Sequence, residues 1–279
     1  MSQSILDIIL AILGGIKPNT PTIEPARTSA KYPVTVLLDA GHGLTRLGSG
    51  DWNYQRDEWY GVLEDLAVQS IALGTHRNLI ECKKVLLTRP LPGSTDGESP
   101  GVSGNPRWKE AAVYWLRSVL DGHPQAHGVT EVASSGTDRD KDINCRPRYA
   151  NLEGADYLIS LHVNAQEVKR NKPLDARGVT VYYKYGCQKS KDLAAKLYDV
   201  LKDHPFHGDL DPQKRGCRDG QEFTRKKGIM RDCACPVVIV EFLFYTNKDD
   251  AAILADESNL IWAGQRIAAG LKLHLDTEG

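Results

Sequence analysis

Five short apolar runs punctuate the chain: VTVLLDA (34–40), KVLLTR (84–89), DYLISLHV (156–163), GVTVYYK (178–184) and PVVIVEFLF (236–244). Each is short, rich in β-branched residues and bounded by polar or turn residues, which is how a buried strand reads. Between them the apolar spacing becomes helical, over about 63–79, 107–120 and 189–203, and a terminal helix carries Leu260, Gly264, Ile267, Ala268 and Leu271 on one face. Strands alternating with helices predict an α/β fold, a mostly parallel or mixed sheet covered on both faces, with sites at the strand ends. For 279 residues a single catalytic-sized domain is the default.

Three segments stand apart from that core. Residues 1–16 contain the apolar run SILDIILAILGGI, which lacks Lys or Arg ahead of it and carries Asp7 near its start, so a conventional signal peptide is not expected. The run is too short to span a bilayer. Ser4 and Asp7 form a capping box, and Ile5, Ile8, Ile9, Ile12 and Leu13 line one side of a short helix that docks on its own domain, on a membrane surface or on a delivery apparatus. Residues 17–31 are rich in Pro, Thr and Ser and read as a linker, so the main domain is expected over 32–279. Residues 90–145 show little strand signal and read as an insertion that either walls the site or decorates the sheet edge.

Charge and cysteine content exclude some classes. With 35 Lys and Arg against 36 Asp and Glu, no field exists to hold a nucleic-acid backbone, and nucleic acid is not an expected partner. The six cysteines form no CxxC pair and read as free thiols, with Cys233 and Cys235, two apart, leaving a disulfide or an extra metal site as the alternative.

Chemistry gathers in four places. LLDAGHG carries His42, GVLEDLAVQSIA carries Glu64 and LISLHVNA carries His162. Two imidazoles and a carboxylate with one open position make the ligand set of a catalytic zinc, although each histidine alone is as compatible with ordinary hydrogen bonding. Gly41 and Gly43 permit a tight turn that aims the His42 ring away from its strand end. Glu241 interrupts the apolar run PVVIVEFLF, where a carboxylate must be paired, protonated or beside a metal. A general base is one explanation and a buried pair with an arginine such as Arg146 the other. The pairs His123/His127 and His204/His207 sit in Pro-containing, turn-rich stretches and read as surface histidines. Trp52, Tyr54, Trp59 and Tyr60, in the loop after the GHG turn, either stack on substrate or pack the loop.

The order DAGHG, Glu64 with Ile71 and Ala72 in register, LTR, RPRYANLEGADYLISLHVNA (146–165) and PVVIVEFLFYTN (236–247) resembles the zinc-dependent N-acetylmuramoyl-L-alanine amidases, the type 3 amidases of sporulation, cell division and phage lysis. The likeness runs from about Val34 to Leu275. It implies a twisted sheet of about six strands flanked by helices, zinc held by His42, Glu64 and His162, Glu241 as the essential acid and base, and peptidoglycan as substrate. Glu58 competes with Glu64 as the carboxylate ligand, but Glu64 opens the helix that has Ile71 and Ala72 in register. Arg146, Asn164, Trp52 and Trp59 are expected to support the site or its substrate. The implied reaction is hydrolysis of the muramoyl–L-alanine amide; a peptidase cutting inside the stem peptide and a non-catalytic wall-binding module are the alternatives. The setting expected is a cytoplasmically made phage lysin or delivered effector that acts at the cell wall. The loop LTRLGSGDWNYQRDEWYG and the long stretch 90–145 depart from the family pattern, and substrate preference is what they leave open.

Overall fold

A computed structural model describes residues 26–133, 136–169, 174–202, 216–221 and 228–278. The strands are β1 Tyr32–Ala40, β2 Thr45–Arg46, β3 Trp52–Asn53, β4 Cys82–Leu87, β5 Tyr157–Asn164, β6 Thr180–Tyr183, β7 Gly216–Asp219 and β8 Val237–Phe244. The helices are α1 Glu64–Arg77, α2 Thr95–Glu98, α3 Ala112–Val119, α4 Ala126–Thr130, α5 Asp138–Leu152, α6 Gln188–Lys202, α7 Gly228–Asp232, α8 Lys248–Leu254 and α9 Glu257–Glu278. Six strands form one mixed sheet in the order β4-β1-β5-β8-β6-β7, and β2 pairs with β3 in a separate ribbon. Only β6 runs against its neighbour β8; the other neighbours are parallel.

The period of two in the strands sorts their side chains into two cores. Val36, Leu38, Ile159, Leu161, Val238, Val240 and Phe242 face α1, α6 and α9 through Val68, Ile71, Leu193, Leu197, Ile267 and Leu271. Leu37, Leu86, Leu158, Val237 and Ile239 face the opposite way, onto Val113 and Leu116 of α3, Cys145 and Tyr149 of α5 and Ile229 and Met230 of α7. A sheet buried on both faces explains why these strands read as nearly continuous apolar runs. The same parity puts Asp39, Ser160, His162 and Glu241 on the second face, at the carboxyl ends of β1, β5 and β8, where apolar packing gives way to a groove.

Two sequence expectations shift here. The stretch 107–120 is not one helix: a 3-10 turn at Arg107–Lys109 is followed by extended backbone at Glu110 and Ala111 before α3 starts. The break exists because 109–111 pairs with the loop after the GHG turn, Leu44 N–H donating to Lys109 O at 2.9 Å and Ala111 N–H to Leu44 O at 3.0 Å. The insertion is therefore stitched to the site. Helix α5, whose sequence DRDKDINCRPRYANL has little apolar periodicity and a proline inside, was legible only as a motif, yet its Asp142, Cys145, Arg146 and Tyr149 are buried. Residues 1–16 lie outside the described residues; of the 17–31 segment, Arg27 N–H donates to Lys83 O at 2.7 Å, and β1 begins at Tyr32.

Candidate metal centre

The site is built on a turn that two buried arginines hold. After β1 the chain passes through Gly41, whose hypothetical Cβ would lie 2.4 Å from the His162 ring, then His42 at φ 58° and Gly43 at φ 119°. A left-handed histidine is costly and persists only when its surroundings over-determine it. They do: Arg89 Nη1 donates to Gly41 O at 2.8 Å, and Arg146 donates to Ala40 O at 2.8 Å and to His42 O at 2.9 Å. Gly43 N–H donates to the Asp65 carboxylate at 2.8 Å, which also accepts from Gln55 N–H and Arg56 N–H at 2.9 and 3.1 Å. Three consecutive carbonyls and the next amide are thus fixed by charged side chains, which holds the backbone that carries the His42 imidazole.

His42 Nε2, Glu64 Oε1 and His162 Nδ1 converge. The carboxylate oxygen is 3.1 Å from the first nitrogen and 3.0 Å from the second, and the two nitrogens are 3.0 Å apart. Among the described residues this is the one group of three or more His, Cys, Asp or Glu side chains arranged to hold a metal ion. The tautomer of His162 follows from its neighbours. Ser160 Oγ donates to Asp39 Oδ2 at 2.6 Å, so it must accept from His162 Nε2, 3.2 Å away, which leaves the Nδ1 lone pair facing Glu64 and His42. Asp39 in turn accepts from Thr88 Oγ1 at 2.7 Å and from Arg146.

The electrostatics agree with a cation position. Burial would raise the Glu64 carboxyl, but His42 and His162 hold it well below the usual carboxylate range. Burial pushes the His42 imidazole down against the pull of Glu64, whereas for His162 the hydrogen bond to Glu64 and the charge of Glu241 outweigh burial and hold the ring up. A divalent ion held among two facing imidazoles and a carboxylate would satisfy all three at once. Two nitrogens and one oxygen, closely spaced, with the groove on the fourth side, fit zinc.

Glu241 is the register partner of His162 across β5 and β8 and lines the same groove. The ladder slips immediately afterwards, between His162 and Asn164, and Leu243 takes a φ of 64°. Arg146 does not pair with Glu241. Its five N–H groups go to Asp39, to Asp142 Oδ2 and O, and to the Ala40 and His42 carbonyls, so it supports the turn. Glu58 is exposed, whereas Glu64 is 3% exposed and touches both histidines, so of the two carboxylates it is Glu64 that lies at the candidate metal position. Asn164 caps its own strand end, its side chain accepting from Ala165 N–H at 2.9 Å. Trp52 packs on Tyr114 with ring centroids 5.0 Å apart, and Trp59 packs against the first core; from their loop it is Gln55 and Arg56 that line the groove. His123 and His127 are exposed, His204 and His207 lie outside the described residues, and all six cysteines are free, Cys233 and Cys235 with sulfurs 3.3 Å apart.

Residue-level reading missed Asp39, Asp65, Arg89 and Ser160. The signal was present for two of them: Asp39 and Ser160 are polar residues inside apolar strands, and Ser160 shares the strand parity of His162. For Arg89 and Asp65 no local signal distinguishes a buried clamp from a surface charge.

The groove itself has a volume of about 620 Å³. Its walls are His42, His162 and Glu241, the loop residues Gln55 and Arg56, helix α5 and helix α7.

A model of the N-acetylmuramoyl-L-alanine amidase family matches residues 36–273. The probable cell wall amidase LytH of Staphylococcus aureus is 26% identical over 259 residues, 88% of this chain and 79% of LytH. An endolysin of Bacillus phage SPP1 is 29% identical over 126 residues, 45% of this chain and 42% of the endolysin, so the match spans less than half of that relative. Among solved structures, the N-acetylmuramoyl-L-alanine amidase from Clostridium difficile 630 superposes with a TM-score of 0.57 at 17% identity, covering 89% of this chain and 100% of the other. The catalytic domain of CwlV from Bacillus (Paenibacillus) polymyxa var. colistinus gives 0.54 at 19% identity, covering 87% and 98%. These two likenesses establish the fold.

Proposed function

Because the chain belongs to the N-acetylmuramoyl-L-alanine amidase family, whose model spans residues 36–273, we propose that it hydrolyses the amide between N-acetylmuramic acid and L-alanine in peptidoglycan as a zinc enzyme that degrades cell wall. The observation that carries this reading is the convergence of His42, Glu64 and His162 within 3.1 Å, beside Glu241, at a groove of about 620 Å³. Zinc held by those three side chains would act as a Lewis acid toward the amide carbonyl and make water at the site more acidic.

The protein's own residues supply the remainder. Glu241, set beside His162 by the ladder, takes a proton from the attacking water and returns it to the departing L-alanine nitrogen. Ser160 and Asp39 hold His162 in the tautomer that presents Nδ1. Arg56 Nε, 3.3 Å from Glu64 Oε2, occupies the second carboxylate oxygen so that Oε1 faces the histidines. The α5 and α7 walls enclose the peptide side of the substrate and limit water around the reacting amide. Action at the wall after lysis or delivery is part of the same proposal, and finding the protein mature in the periplasm of intact growing cells would contradict it.

Digestion of purified peptidoglycan with and without a chelator, followed by mass spectrometry, tests the chemistry. Chelator-sensitive release of intact stem peptides that begin with free L-alanine is expected. Cuts within the peptide would assign a peptidase instead, and binding without release a wall-binding module.

A further inference from the structure

The groove carries more arginine than its chemistry consumes. Arg56, Arg139, Arg146, Arg148 and Arg231 all line it, in a chain whose formal net charge is only −1. Four of the five are engaged. Arg146 spends every N–H on protein acceptors, Arg56 pairs with Glu64, Arg148 donates to Val132 O at 3.2 Å, and Arg231 is held by its neighbour Asp232 at 2.6 and 2.9 Å. Arg139 makes no hydrogen bond or ion pair among the described residues, is exposed, and still faces the groove. The buried carboxylates Asp39 and Asp142, the natural partners for a stray guanidinium, are already bound to Arg146. An unspent planar fork of N–H donors in a groove matches a carboxylate on whatever occupies that groove.

Its distance from the chemistry narrows the carboxylates within reach. Arg146 touches the His42 carbonyl, and Arg139 lies seven residues earlier on the same helix, about 10 Å along the axis. An extended peptide advances about 3.4 Å per residue, so Arg139 stands about three residues from the scissile amide. Ile143, between them on α5, also lines the groove and offers an apolar contact for the intervening chain.

Resting on the amidase reading, we propose that Arg139 is a specificity-determining residue that binds a free carboxylate of the stem peptide, either the α-carboxylate of its γ-linked D-glutamate or the side-chain carboxylate of a diaminopimelate at the third position. A stem peptide with an amidated D-glutamate and a lysine at position three offers neither.

The experiment uses the zinc-loaded full chain and four soluble muramoyl tripeptides: D-glutamate or D-isoglutamine at position two, each with diaminopimelate or lysine at position three. The wild type should show kcat/KM at least about tenfold higher for the substrate that keeps the recognised carboxylate, mainly through KM. R139A should cleave all four at the rate of the poorest, and R139K should recover part of the preference. The arm in which preference appears identifies the carboxylate. A wild type indifferent to both carboxylates, or a preference that survives R139A, would overturn the proposal while leaving the amidase reading intact. Should no substrate be cleaved, the amidase reading fails, and calorimetric binding of the four free tripeptides decides separately: the same ranking, lost in R139A, supports the carboxylate site, and equal affinities refute it.

Discussion

His42 is held left-handed by Arg89 and Arg146, so the cost of its backbone is met by side chains that make no contact with the triad atoms themselves. Replacing Arg146 by Met strips Asp39 and Asp142 of their buried partner. Unfolding in urea should register a loss of about 3–5 kcal/mol, because uncompensated buried charge is what such a change leaves behind. Gly41 makes a contrasting case: in Gly41→Ala the new Cβ meets the His162 ring at 2.4 Å and must displace it. Zinc content after dialysis should fall sharply there; a Gly41→Ala protein that kept stoichiometric zinc would show that the ring has room the geometry denies. Glu241→Gln keeps size and hydrogen bonding but cannot take a proton. Its turnover should drop by at least about a hundredfold with zinc still bound, and near-normal digestion would remove Glu241 from the mechanism.

Between elements, α1 and α9 meet backbone to backbone. A Cβ at Gly264 would lie 2.2 Å from Ile71 O and 2.6 Å from Thr75 N, and one at Gly74 would lie 2.4 Å from Ile261 O, so the two helices cross with backbone against backbone. Gly264→Ala should cost about 1–3 kcal/mol by prising them apart, read as a lower urea midpoint, and an unchanged midpoint would mean the helices separate freely. On the other face, Glu131 ties α3 to α5 through Arg117 at 2.7 Å and Lys141 at 3.0 Å. Burial alone would raise its carboxyl, but these cations outweigh it and hold it down to about 2. A depressed folded value means the pair contributes above the unfolded value near 4.5 and is lost as pH falls from there through about 2. Being partly exposed, the contribution is modest and screened by salt. Comparing wild type with Glu131→Gln between pH 6 and pH 2 should show the stability gap closing with acid; a gap independent of pH would assign Glu131 a packing role.

At the scale of the molecule, the three candidate ligands come from the turn after β1, the start of α1 and β5, so an ion held by them would bridge the sheet and the helix layer over it. An ion that binds only the folded chain adds about 2.7 kcal/mol at a hundred times its Kd, enough to raise Tm by several degrees. Zinc should therefore raise Tm in the wild type and chelator should reverse the rise, while His162→Ala should show neither; an equal rise in that variant would place the ion elsewhere.

The sequence by itself marked five of the eight described strands, β1, β4, β5, β6 and β8, the helices α1, α6 and α9, and the candidate residues His42, His162 and Glu241. All of these are signalled by local periodicity, or by a polar group where an apolar one belongs. Only the tertiary structure decided that Arg146 serves the turn rather than Glu241, that Glu64 and not Glu58 meets the histidines, and that α5, almost without amphipathic pattern, becomes a wall of the groove. It also decided that the Trp52 ring packs on Tyr114 instead of facing the groove. The reason is common to these cases: a charged or aromatic side chain satisfies itself with whatever the fold brings within a few ångströms, and for Arg146 and Asp39 that partner is 107 residues away in sequence.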